Sequence, residues 1–172
     1  MSDLRELLAV GSAQTMQFFY NHLRNNAPVG MGREETLYIA SILAHYAQTS
    51  RFEEDTMGPA VSLCEILDNF VIPTLTENFY GAPDPEILEI AGSQTLLLVG
   101  FFRDQVRNTR RHNIRWYDQI GKGFFLRASA YSKEETKSAM LWDVSQHFPV
   151  WTYSCQRASR AMREERYLIH PN

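Results

Sequence analysis

Apolar residues along this chain recur three and four positions apart, and alternating patterns are scarce. That spacing lays one stripe along a helix and cannot build the two-faced strand of a sheet. Leu4, Leu7 and Leu8, then Met16, Phe19, Tyr20 and Leu23, trace the first stripe, with Gly11 interrupting it. Asp3 and Glu6 have the spacing of a capping box ahead of it. Residues 25–32, which hold asparagine, proline and two glycines, read as a turn. Leu37, Tyr38, Ala40, Ile42, Leu43 and Tyr46 trace a second stripe over roughly residues 34–49. Glu34 and Glu35 stand in its first turn, where the positive end of the helix dipole favours carboxylates. A third helix begins at Pro59, carries Val61, Leu63, Cys64, Ile66, Leu67 and Phe70, and ends or kinks at Pro73.

Start and stop signals place the others. Asp84-Pro85-Glu86 is a capping side chain followed by proline at the first helical position. From there Ile87, Leu88, Ile90, Ala91 and the run Leu96, Leu97, Leu98, Val99 leave no polar side, which predicts a central, fully surrounded helix. A fifth helix is expected from near Asn113, with Trp116, Tyr117, Ile120, Phe124, Phe125 and Leu126. Ser132-Lys133-Glu134-Glu135 reads as a capping box that opens a sixth helix, which Pro149 breaks or bends before a last one over residues 151–166. The expectation is an all-α fold: one domain over residues 1–172, an orthogonal or mixed bundle of six or seven helices. Its length suffices for a single core without staples.

Several function classes find little support. The five histidines are scattered, and no Glu-x-x-His motif of a di-iron bundle occurs. Asp143 and His147 lie one helical turn apart, which reads as a solvated or core-edge hydrogen-bonded pair in the absence of further ligands. There is no Gly-x-Ser-x-Gly elbow, neither cysteine has a basic neighbour, and Ser93 within an apolar helix is expected to bond a preceding carbonyl. Gly30-Met31-Gly32 and Gly121-Lys122-Gly123 lack the upstream strand of a phosphate loop. No catalytic residue, metal ligand or cofactor is therefore expected. Cys64 and Cys155, far apart and outside any Cys-x-x-Cys motif, read as thiols of a reducing cytoplasm. A charged start after Met1, and a longest apolar run of seven residues at 96–102, argue against a leader or a membrane span of about 20 residues.

Charge is the feature that points to a partner. Residues 103–127 hold Arg103, Arg107, Arg110, Arg111, Arg115, Lys122 and Arg127 against only Asp104 and Asp118. The last helix places Arg157, Arg160, Arg163 and Arg166 three apart, beside Glu164 and Glu165. The whole chain nevertheless carries a net charge of −3, and a pI near 5.9 argues against nucleic acid. The basic corner 103–115 (Arg103, Arg107, Arg110, Arg111 and Arg115) with Trp116, and the stripe Arg157, Arg160, Arg163 and Arg166, form the candidate interaction surface for a protein partner or a second copy of the chain. They could equally lie against the chain's own acidic residues. The expected function is a non-enzymatic adaptor or regulator. The alternative is a small-molecule or lipid-binding bundle, whose aromatic residues would line a cavity between helices.

Gly92-Ser93, the apolar run to Gly100-Phe101-Phe102, and Trp116-Tyr117 through Gly121 to Phe124-Phe125 resemble a pattern in a group of uncharacterised bacterial helical proteins. In that group the order is Gly-Asp, an apolar run, Gly-Phe-Phe, a basic stretch, then Tyr-Tyr, Gly and an aromatic. The likeness covers roughly residues 35–130, and Ser93 stands where the group has Asp. It implies a helical fold and a bacterial source, and no activity. Gly100 and Gly121, set among bulky residues, are expected where helices approach closely or where a helix ends beside an aromatic. Phe101 and Phe102 are then expected to pack on the Tyr117/Phe125 face.

Overall fold

A computed structural model describes residues 11–49, 84–106 and 114–164, and every regular element within them is helical. In chain order these are α1 (Gly11–Asn26), α2 (Arg33–Thr49), α3 (Pro85–Leu96), a π-helical continuation (Leu97–Phe101), α4 (Arg103–Val106), α5 (Ile114–Tyr131), α6 (Glu135–Gln146) and α7 (Phe148–Glu164). Six of them have 12 residues or more, and the architecture is the all-α bundle that the periodicity implies. The stripe at Leu4 to Leu8, the helix expected after Pro59 and the bend at Pro73 lie outside the described residues. Among the described residues no helix is long and apolar enough to cross a membrane.

The local signals act as their chemistry requires, with one exception. Asp84 Oδ1 accepts the Glu86 N–H at 2.9 Å, and Pro85 occupies the first turn of α3, where its missing donor costs nothing. Gly30, at φ +101°, turns the chain between α1 and α2 through a conformation other residues rarely adopt. The exception is the expected box at Ser132. The residue that caps α6 is Glu134, without a side-chain bond, and the Ser132 hydroxyl reaches only the Glu134 carbonyl at 3.4 Å. Ser132 sits two residues ahead of the capping position, so its hydroxyl cannot reach the first-turn amides. Reciprocal bonds pin α5 to α6 instead: Ser129 Oγ donates to the Ser138 carbonyl and Ser138 Oγ to the Ser129 carbonyl, each at 2.7 Å.

Pro149 marks a beginning. Helix α6 ends at Gln146, His147 alone stands outside helical geometry (φ −97°, ψ 12°), and α7 starts at Phe148. Pro149 is thus the second residue of α7, where no intrahelical bond is lost.

Helix α3 packs on α5, α5 on α6, α1 on α2, and α7 crosses the π-helical stretch and α1. Leu23, Ile39, Leu88, Leu98, Tyr117, Phe125, Phe148 and Trp151 are among the fully buried side chains of this core. Glycines set the distance of approach. A Cβ on Gly121 would stand 2.5 Å from Phe148 Cζ and 2.8 Å from Thr95 Cγ2; one on Gly100 would stand 2.9 Å from Cys155 Cβ. The expected close approaches at both positions are therefore present.

One expectation is corrected. Helix α3 and its π-helical continuation are enclosed from Thr95 to Gly100, whereas Ile87 and Ile90 near the start of α3 are 45% and 56% exposed. Its first turns lie against α5 on one side and open outward on the other. The rings of Phe101 and Phe102 meet Phe19 of α1 at 6.3 Å and Tyr46 of α2 at 5.6 Å, while Phe125 meets Tyr38 and Phe148. The π-helical stretch that carries Phe101 packs on α7 and also touches α5.

Candidate interaction surface

Helix α7 is the element on which the candidate residues converge. Phe148, Trp151, Thr152, Cys155 and Ala158 are buried, and Pro149, Tyr153, Arg157, Arg160 and Arg163 are exposed. The inward residues recur at helical spacing and fix which side of the helix faces water.

The two basic segments meet through an acid that belongs to the first of them. Arg160 grips Asp104 of α4 with both branches, Nε to Oδ2 and Nη2 to Oδ1, each at 2.9 Å. Arg163 Nη2 donates to Oδ2 at 2.9 Å, and Gln156 Nε2 donates to Oδ1 at 3.1 Å. The Arg160 guanidinium holds the Asp104 carboxyl well below the usual carboxylate range; Gln156 and Arg163 add to this, against the opposing effect of partial burial. Arg160 and Arg163 nevertheless keep side chains that are 50% and 40% exposed. They are anchored cations that still face solvent.

Arg103 turns elsewhere. Its Nη1 donates to the Val99 carbonyl at 3.3 Å, and its Nη2 lies 3.8 Å from Asp118 Oδ2. Burial pushes the Asp118 carboxyl up, with Arg103 opposing. Both acids of the basic segment are thus engaged, one by each segment. Arg115 is exposed on α5, while Trp116 is half-buried and packs edge-on against Tyr117 at 5.0 Å. Trp116 belongs to the rim of the core rather than to a displayed surface. Arg107, Arg110, Arg111 and Arg166 lie outside the described residues.

The aromatic that accompanies the arginines is Tyr153. Its ring is 55% exposed and carries the Arg157 guanidinium 5.7 Å above its centroid. The four-residue spacing of Tyr153 and Arg157 was the available signal. It is masked in the sequence by the more regular arginine triplets.

Two further polar networks close the bundle. Glu35 of α2, its side chain only 8% exposed, accepts His147 Nδ1–H at 2.9 Å and a short hydrogen bond from Trp151 Nε1. Asp143, one turn back, is exposed, and its carbonyl accepts the His147 backbone N–H at 2.9 Å. The other network starts at Tyr38, whose hydroxyl donates to Glu89 Oε1 at 2.7 Å, while Lys137 Nζ bridges Glu89 Oε2 at 2.8 Å. Burial pushes the Tyr38 phenol far up, and its bond to Glu89 adds to this. Ser93 also hydrogen-bonds the phenol, which opposes that shift, so its hydroxyl links α3 to α2.

Neither network presents an activated nucleophile. Cys155 is wholly buried, and its thiol is pushed up to about 12 by desolvation. Among the described residues no group of three His, Cys, Asp or Glu side chains could hold a metal ion. The outer face of α7 offers oriented cations and an aromatic ring. No protein family, curated protein or solved structure matches the chain.

Proposed function

We propose that this protein is a non-enzymatic cytoplasmic adaptor or regulator that docks an acidic segment of a protein partner on the outer face of α7. The observation that carries the reading is the exposed Tyr153–Arg157 pair beside Arg160 and Arg163. Tyrosine and arginine are enriched among the residues that carry binding energy. Asp104 fixes two of the three guanidinium groups in advance, which lowers the conformational entropy lost on docking. Three cations along one helix select an acidic partner and steer it electrostatically.

The test compares the native chain with a Tyr153→Ala/Arg157→Ala variant, both immobilised and exposed to lysate of the source cells at low and moderate salt. These side chains lie outside the core, so the variant should keep its helical signal and melting temperature. A protein held by the native chain at both salts and lost from the variant supports the reading. Equal recovery by both chains, or recovery of nucleic acid at low salt alone, overturns it.

A further inference from the structure

We propose that the cleft between α1 and α2 binds a small organic anion with a short apolar body, such as a carboxylate or phosphate ester. The site is independent of the α7 face. The turn at Gly30 folds α2 back along α1 and leaves an open cleft of about 430 Å³, within the range of small-ligand sites. Tyr20 and Arg24 approach it from α1, Met31 from the turn, and Arg33, Thr36 and Leu37 from α2.

The chemistry of this lining is one-sided. It holds two arginines and no aspartate or glutamate, in a chain with 20 acidic and 17 basic residues. Elsewhere Arg103, Arg160 and Arg163 each reach a carboxylate. Among the described residues Arg24 and Arg33 reach none, although Glu34 and Glu35 directly follow Arg33 in sequence. Glu35 is turned away, held by His147 and Trp151. The Thr36 hydroxyl already donates to the Gly32 carbonyl at 2.8 Å. Gln17, also in the lining, donates its Nε2 to Asn21 Oδ1 at 2.9 Å, and among the described residues the two guanidinium forks and the Tyr20 hydroxyl reach no carboxylate.

Guanidinium forks match the planar oxygens of a carboxylate or phosphate, one fork from each helix. Met31 and Leu37 supply the apolar contact, and methionine adapts to varied shapes. A bare inorganic ion would leave that contact unused. The expected ligand is therefore amphiphilic, with its charged end at the arginines.

The experiment titrates the full chain with octanoate, octyl phosphate, octanol and inorganic phosphate, followed by calorimetry and by amide shifts of residues 20–37. Saturable binding of octanoate or octyl phosphate is expected, and the tighter of the two identifies the head group. Arg24→Gln and Arg33→Gln should each weaken it by about tenfold or more while helicity is unchanged. Octanol binding as tightly as either anion, inorganic phosphate binding as tightly as octyl phosphate, or unaltered affinity in both variants would each overturn the proposal. So would the absence of saturable binding to a chain that melts cooperatively.

Discussion

The first half of α7 is seated in apolar contact around one buried carboxylate, whereas its second half is tethered by cations to one carboxylate at the edge of the fold. Phe148 fills the space left by Gly121, Cys155 abuts Gly100, and the Trp151 indole donates to Glu35. Beyond Cys155, the side chains of Gln156, Arg160 and Arg163 gather on Asp104. Glu35 and Asp104 both collect donors from the same helix, but their side chains are 8% and 24% exposed. Removing a partner from a buried acid leaves a group that water cannot reach. Removing one from an edge acid lets water and salt take its place.

That contrast sets the order of expected effects. The largest belongs to the glycine contacts of the first half. Gly121→Leu and Gly100→Leu should lower stability by about 1–3 kcal/mol or more, since the neighbouring Phe148 ring and α7 backbone have no room to move. Gly123 is the internal control: it shares helix α5 with Gly121, and a Cβ there meets nothing within 4 Å. Gly123→Ala should gain up to about 1 kcal/mol from helix propensity. Denaturant midpoints measure all three, and equal midpoints would show that α7 is not seated by these contacts.

The next effect is Glu35→Ala, which leaves the Trp151 and His147 donors without their acceptor. It should cost about 1–3 kcal/mol with little dependence on salt. Asp104→Asn should cost less, about 1 kcal/mol or below at low salt, and the difference should shrink as ionic strength rises. The sign of its pH dependence follows from the lowered Asp104 carboxyl. The stabilisation is fully present above the unfolded aspartate value near 4 and is lost as pH falls through the folded value. A gap between the native chain and an Asp104→Asn variant that holds above the unfolded aspartate value and narrows as pH falls below it would sharpen the comparison. A gap that does not narrow as the solution is acidified would break it.

The sequence made local structure legible and long-range chemistry much less so. The face of α2, the start of α3 at Asp84-Pro85 and the core side of α5 follow from spacing that a single helix carries within itself. The tight fits at Gly100 and Gly121 were also readable, because glycine between bulky residues in a helix costs stability unless something occupies the space. The Asp104 cluster was not readable. Its partners stand 52 to 59 residues away, and the acid looked like a minor interruption of a basic run. The bond between Glu35 and Trp151 spans 116 residues, so Glu35 read only as a favourable first-turn charge. The π turn after Leu96 carries no compositional mark. Ser132 failed for a smaller reason: a four-residue pattern cannot say where the helix will begin.

His147 has two duties in this fold. Its backbone is the single non-helical residue between α6 and α7, and its side chain is fastened to Glu35 of α2. A joint of one residue has no slack, so neither helix can swing without dragging the other or tearing the imidazole from its acid. Amide hydrogen exchange should therefore find α6 and α7 opening as one cooperative unit, with α2 losing protection around Glu35 in the same event.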